Sequence, residues 1–385
     1  MTNKPLLFVI LASATLTVMA GAIIAPVLNL MRDSLGVDQA SIGFIITTHA
    51  IFIAIFSPFV GNIIDRIGTK KPFVFGLILY GLAGGSGLFI DSYRVLIISR
   101  VFVGIGVAFI LTPITVMILN LYKGAERNKI MGWRASANSA GGIIWPLSGG
   151  FLGSFSWHFP FGMYFIGLLL GLVAFVVMPE THPKMEKDIS KTGSIFGILR
   201  RNPLIIGIYG LFFWAMTLLY AFVIFLPQLL ERIGISDPFH ISLFIAVSTV
   251  TAGFTSLFYG RIRLHLTYKT IIAIALSVWT VAFTAISQTS YASIIAASVA
   301  LLGIAQGIIM PAGMVLLGEM TESRFRGRVV SYFAAFGFVG QFTSPIIFGG
   351  VSLWLGISGV FLVAGVVNAI LLLLFLIAAN RNYPG

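Results

Sequence analysis

The sequence predicts an all-α polytopic membrane protein of twelve transmembrane helices in two pseudo-symmetric six-helix bundles. Three observations carry that expectation. Hydrophobic residues make up 58% of the 385-residue chain and charged residues only 9%, against about a quarter charged in a soluble domain. That leaves too little polar surface to face water on every side. Apolar runs near the roughly 20 residues needed to cross a bilayer recur from end to end. Landmark residues also repeat at a constant offset of 199 positions.

Lys4, the apolar run 6–20 and Ala20-Gly21-Ala22 have the outline of a cleavable signal peptide. The run continues to about Leu30 and many more follow, so the expectation is an uncleaved first helix. Further spans are expected at 42–64, 73–90, 94–119, 130–153 and 159–178, then at 203–230, 240–259, 270–288, 291–317, 329–351 and 355–378. Gly, Ser, Thr and Pro are scattered through them, as helix contact in lipid favours. The longest polar interval, 179–202, holds Glu180, Lys184, Glu186, Lys187, Asp188, Lys191, Arg200 and Arg201. It divides the chain into an N-terminal bundle at 1–180, a cytoplasmic linker at 181–202 and a C-terminal bundle at 203–385.

Nineteen lysines and arginines fall on the side that holds Lys4, the 181–202 interval and Arg381, and three (Arg32, Arg94 and Arg232) on the other. The positive-inside rule then makes both termini and the linker cytoplasmic, in a plasma or inner membrane. The net charge of +12 does not gather on one soluble face, so no nucleic-acid partner is expected. The absence of cysteine excludes disulfides, thiol catalysis and cysteine metal sites. No metal-spaced histidines, P-loop lysine or nucleophile elbow occurs, so neither ATP-driven transport nor hydrolysis has support. Gly104-Ile-Gly106 and Gly84-Gly85-Ser86-Gly87 follow no strand, which makes them helix-packing glycines. No enzyme, cofactor or metal is expected; the partners are the lipid bilayer, a small molecule and protons, and the chain is expected to be a monomer.

The offset pairs Gly61 with Gly260, Lys70 with Lys269, Gly104 with Gly303, and Arg127 and Lys129 with Arg326 and Arg328. Gly141, Pro146 and Gly150 pair with Gly340, Pro345 and Gly349. Several matches without a gap argue for two related halves.

The first half carries a short charged turn between two spans, Gly61-Asn-Ile-Ile-Asp65-Arg66-Ile-Gly68-Thr-Lys70-Lys71-Pro72. Glycine, three residues, Asp-Arg, one residue, glycine and then bases resembles the loop between helices 2 and 3 of the major facilitator superfamily. In the second copy Leu264 and His265 replace Asp65 and Arg66. Arg100-Val-Phe-Val-Gly104-Ile-Gly106 resembles the family's helix 4 motif associated with proton coupling, with Val103 where the family has glutamine. Gly141-Gly-Ile-Ile-Trp145-Pro146-Leu-Ser-Gly149-Gly150 resembles its helix 5 exporter motif, with Trp145 in place of glycine. With both halves in register the resemblance covers nearly the whole chain and is greatest to the twelve-helix drug:proton antiporters.

That resemblance implies parallel halves with the substrate at the midplane between them. It implies that Gly61, Asp65, Arg66, Gly68 and Lys70 form a conformational latch. Asp65 would sit by the amino end of the helix starting near Arg328, where peptide dipoles and Arg326 favour a negative charge. The alternative is a solvated turn with a weak Asp65–Arg66 pair. Gly61 and Gly68 are expected to let the helix ends pack or reverse closely. The helix 5 motif (Gly141, Trp145, Pro146, Gly149, Gly150) is expected to pack closely, its indole pointing away from the partner helix or filling a gap there.

Two residues are candidates for proton coupling. Arg100 lies several residues inside an apolar helix, where it costs at least about 2.5 kcal/mol unless paired or hydrated; the alternative is snorkelling to the interface. His49 could titrate near neutral pH, or simply bond a neighbouring helix. All twelve acidic residues fall at or beyond helix ends, so no embedded carboxylate is available to trade a proton for an organic cation. With Arg100 and Arg134 as the interior charges, a neutral amphiphile or an anion is favoured. Arg134, Asn138, Trp214, Tyr220, Gln306, Tyr332, Phe336 and Gln341 are the candidate substrate-binding residues, their alternative being plain packing. The expected function is proton-coupled export of lipophilic drug-like compounds by alternating access. The alternatives are a carrier for an organic anion and, in another class, a receptor or lipid scrambler on the same fold.

Overall fold

A backbone in lipid has no water to bond, so long apolar stretches close their hydrogen bonds as helices. The computed structural model, which describes residues 4–179, 203–321 and 326–382, is helical throughout, with no strand among the described residues. The 181–202 interval lies outside them. The chain divides into two compact units, Met1–Thr192 with Asp237–Phe239, and Gly193–Ser236 with His240–Gly385.

The first unit opens with α1 (Lys4–Ala22), a 3-10 turn (Ala25–Val27) and α2 (Leu28–Leu35), which together form one 32-residue apolar stretch. α3 (Phe44–Ile67), α4 (Lys70–Gly85), α5 (Tyr93–Leu121) and α6 (Gly124–Gly153) follow, then α7 (Phe159–Gly162) and α8 (Ile166–Val177). α5 packs on both α3 and α4, α1 packs on α6, and α4 on α8. Leu172, Phe175 and Val176 on α8 stay exposed, as lipid-facing side chains do. α3 stops at Gly68, whose φ of 82° suits a residue without a Cβ, and whose N–H bonds the Ile64 carbonyl at 2.9 Å. α4 begins two residues later, so the tight reversal expected at Gly68 is present. Gly61 differs from expectation: a Cβ there would meet nothing within 4 Å, so no close contact explains it.

The second unit comprises α9 (Pro203–Arg232), α10 (Pro238–Leu257), the short α11 (Tyr259–His265), α12 (Tyr268–Ser287), α13 (Ala292–Glu319) and α14 (Arg326–Asn382). α14 packs on α9 and α12, and α12 on α13. Its 57 residues are two helices joined at Gly356, where φ is 70° and ψ is −179°. Among the described residues ten stretches are long and apolar enough to cross a membrane. Counting the broken one twice and adding α6, which is 30 residues long but more polar, is consistent with the twelve expected.

The 199-residue repeat has a physical counterpart. A Cβ on Gly104 would run into the carbonyl oxygen of His49, and one on Gly303 into that of Ser248. His49 and Ser248 are themselves 199 residues apart. Each unit therefore makes the same close helix crossing at the same step of its own sequence. Lipid gives two apolar helices no hydrophobic reason to associate, so contact at this range comes from small residues that admit the neighbouring backbone.

Candidate functional site

Arg100 sits in the third turn of α5 and is fully enclosed, with 0% of its surface exposed. It does not snorkel. Its Nη1 donates to the Tyr164 hydroxyl at 3.1 Å, and its Nη2 donates to the Ser99 hydroxyl at 2.9 Å and the Gly84 carbonyl at 3.3 Å. The guanidinium carbon lies 5.1 Å from the Phe161 ring centroid and 5.0 Å from that of Tyr164, within cation–π range. Nε has no partner, and no carboxylate pairs with Arg100 among the described residues. A buried cation normally needs a counter-ion; here neutral oxygens and two ring faces take that place.

The cage reaches three other helical elements. Tyr164, in a 3-10 turn (Met163–Phe165) just before α8, donates its hydroxyl to the Ala20 carbonyl of α1 at 2.8 Å. Tyr80 on α4 donates to the Leu16 carbonyl, also at 2.8 Å and one helical turn away. The two tyrosine rings are 5.2 Å apart. Gly84, Gly85 and Gly87 leave room for the rings of Tyr164, Phe165 and Phe161, so this run packs helices as expected. His49 is 3% exposed and its Cε1 would lie 3.2 Å from a Cβ on Gly21 of α1. The His49 carbonyl faces Gly104, one turn from Arg100 on α5, so the two candidates for proton coupling are both buried on adjacent helices. Tyr80, Phe161 and Tyr164 were not singled out from the sequence. An arginine in an apolar helix signals that partners exist, but nothing in the spacing points to a tyrosine 64 residues away.

On α6, Arg134 is half-buried and donates from Nη1 to the Thr115 hydroxyl of α5 at 2.9 Å. One turn further, Asn138 holds its Oδ1 enclosed and without a hydrogen bond. Two turns beyond, the Trp145 indole, expected either to point away from the partner helix or to fill a gap there, does not point away: its N–H donates to the Thr15 carbonyl of α1 at 3.0 Å. Gly149 still brings α6 against the Ile23 carbonyl. Close packing and the bulky indole coexist because the indole points at a main-chain acceptor.

In the charged turn, Asp65 and Arg66 are exposed, and neither is ion-paired among the described residues. The Asp65–Arg66 pair weighed as the alternative is therefore not formed. Lys70 stands 5.3 Å over the Phe175 ring. The side chains of Arg326 and Arg328, to which the latch was assigned, lie outside the described residues.

In the second unit, Gln306 lines a small pocket with Leu218, Phe222, Ser248, Trp279 and Phe283. Trp214 lies 6.1 Å from Phe348 with its indole N–H enclosed and unbonded, and Tyr220 is half-buried on the same helix. On α14, Tyr332 and Phe336 are exposed at 45% and 41%, whereas Gln341 is buried at 4%. The Phe336 ring also lies 5.1 Å from that of Tyr209, tilted by 36°. At the other end of the first unit, His158 Nε2 meets Asp91 Oδ1 at 2.9 Å and the His158 ring stacks on Trp157.

Two helical units with many spans, a caged arginine and glycines at several close crossings describe a multi-pass membrane protein. Residues 10–263 and 220–385 match the family described as Major Facilitator Superfamily, and the chain belongs to it. Over 177 residues it is 29% identical to Multidrug resistance protein 2 of Bacillus subtilis, covering 45% of this chain and 43% of that protein. Over 175 residues it is 29% identical to the quinolone resistance protein NorA of Staphylococcus aureus, covering 46% and 44%. In both cases the match spans less than half of the relative's length. The fold matches the crystal structure of the nucleoside transporter NupG with a TM-score of 0.79 at 13% identity, over 97% of this chain and 99% of that one.

Proposed function

We propose that the protein is a proton-coupled exporter of lipophilic and amphiphilic compounds, working in a plasma membrane with both termini in the cytoplasm. The observation that carries this reading is the charge inventory of the spans. Arg100 is sealed by its own cage, Arg134 and Asn138 occupy a partly open face of α6, and every carboxylate among the described residues lies at or beyond a helix end. A neutral amphiphile meets aromatic and amide groups without a charge to oppose it; a cation meets a guanidinium and no compensating acid. The names of the two bacterial relatives, each matched over less than half its length, support the export of drugs.

The proton has few carriers available. His49 and Arg100 are both buried, and arginine stays protonated, so Arg100 acts by adjusting what its neighbours do. Asp65 and its turn supply the conformational latch. Efflux of a lipophilic fluorescent compound from proteoliposomes, driven by an imposed pH gradient and abolished when the gradient is collapsed, tests the reading. Equal flux with and without the gradient contradicts it.

Arg134 also favours a second reading, a carrier for an organic anion working by facilitated diffusion or uptake. The same proteoliposomes separate the two, because that carrier equilibrates an anion without a pH gradient.

A further inference from the structure

The second copy of the charged turn has lost its acid, and the structure shows what replaced it. Leu264 stands 199 residues after Asp65 and is 82% exposed. Leu257 and Phe254, where α10 ends, are exposed at 80% and 64%. Between these apolar side chains α11 carries two arginines with no counterpart in the first copy, where Asn62 and Ile64 stand. The Arg261 guanidinium lies 5.6 Å from the Phe258 ring centroid, and that of Arg263 lies 3.9 Å over the Tyr268 ring. Arg263 Nη1 also donates to the Leu266 carbonyl at 3.2 Å. Stacking holds a guanidinium by its face and leaves N–H edges for an oxyanion. No acidic residue occurs between Asp237 and Glu319; the Glu319 charge reaches Arg263.

The loop joins two membrane-spanning helices, which puts it at the level where phospholipid headgroups lie. Exposed leucine and phenylalanine beside stacked arginines match a headgroup with its acyl chains in both charge and polarity. We propose that α11 and its flanks, residues 254–269, form a docking site for an anionic phospholipid of the phosphatidylglycerol type. Arg261 and Arg263 hold the phosphate, and Leu257, Phe254 and Leu264 lie against the chains. In the first copy Asp65 offsets one of the three bases of its turn, whereas residues 254–269 hold no acid. The two copies have thus taken different roles, and this one stands whether or not the protein exports drugs.

Thermal melting of the purified full-length protein in detergent, titrated with phosphatidylglycerol, phosphatidylcholine or inorganic phosphate, tests the site. Phosphatidylglycerol is expected to raise the midpoint at the lowest concentration. Arg261→Gln with Arg263→Gln is expected to raise its half-saturating concentration about thirtyfold, taking roughly fivefold per cation. Should the double variant fail to fold, Leu264→Asp, a change at an exposed position, is expected to weaken the same response several-fold. Equal responses to phosphatidylcholine or to inorganic phosphate overturn the proposal, as does a phosphatidylglycerol response that the variants leave unchanged.

Discussion

Arg100 donates to the hydroxyl of Tyr164 at 3.1 Å, and Tyr164 donates onward to the carbonyl of Ala20 at 2.8 Å. One phenol oxygen thus serves a buried cation and a neighbouring helix together. Tyr164→Phe keeps the ring but leaves a guanidinium N–H without its acceptor, at about 1–3 kcal/mol. Its melting midpoint is expected to fall by several degrees, and that of Arg100→Lys at least as far, because an ammonium cannot reproduce the planar fork. Unchanged midpoints for both would show that the cage contributes nothing to stability.

The glycines divide into those that admit a neighbour and those that do not. Gly104→Ala drives a methyl group into the His49 carbonyl, with no flexible side chain there to give way. Overpacking of this kind typically costs about 1–3 kcal/mol. Gly303→Ala is expected to behave likewise against Ser248, while Gly61→Ala meets open space and should be nearly neutral. Comparing the three variants by yield of folded protein and thermal melting checks the repeat as a physical feature.

Asp38 provides a pH signature outside the spans. Burial pushes its carboxyl upward, but hydrogen bonds from the Ser41 hydroxyl and the Ser41 and Ala40 N–H groups outweigh that and hold it below its ordinary value. A group depressed in the folded state contributes stability above its unfolded value, near 3.9, and loses it as pH falls through the folded one. Asp38→Ala is therefore expected to cost about 1 kcal/mol at neutral pH. The gap from wild type should close as pH falls below about 4. A gap independent of pH would show that the carboxylate charge plays no part.

Asp65 is exposed and unpaired among the described residues, so Asp65→Asn is expected to change stability by less than about 0.5 kcal/mol. As a latch it should nonetheless lower transport several-fold, and Leu264→Asn, its repeat mate, should leave transport near wild type. Melting and proteoliposome flux measured together decide between latch and solvated turn; unchanged flux refutes the latch.

The spans and the repeat were legible because lipid imposes a simple rule on composition and because glycine spacing records helix crossings. The helix packing expected at Gly104 is present, and its repeat mate Gly303 makes the matching contact. The partners were not legible. Arg100 demanded a companion, but the Tyr164 hydroxyl and the Gly84 carbonyl that supply it lie 64 and 16 residues away. For the Trp145 indole the spacing left two orientations open, away from the partner helix or into a gap there, and its N–H bond to the Thr15 carbonyl selects the side facing α1. Gln341 and Phe336 were equal candidates by residue type, and only burial separates them. The second charged turn, marked by the acid it had lost, drew no attention for the arginines it had gained.

Substrates of this protein are expected to meet positive and apolar groups and no embedded acid. Binding of a matched series of anionic, neutral and quaternary ammonium compounds of similar size to the wild type and to Arg134→Gln tests it most directly. The neutral and anionic members are expected to bind wild type at least tenfold more tightly than the cation, with Arg134→Gln weakening the anion alone. A cation that binds tightly and is lost on neutralising one carboxylate would contradict the account.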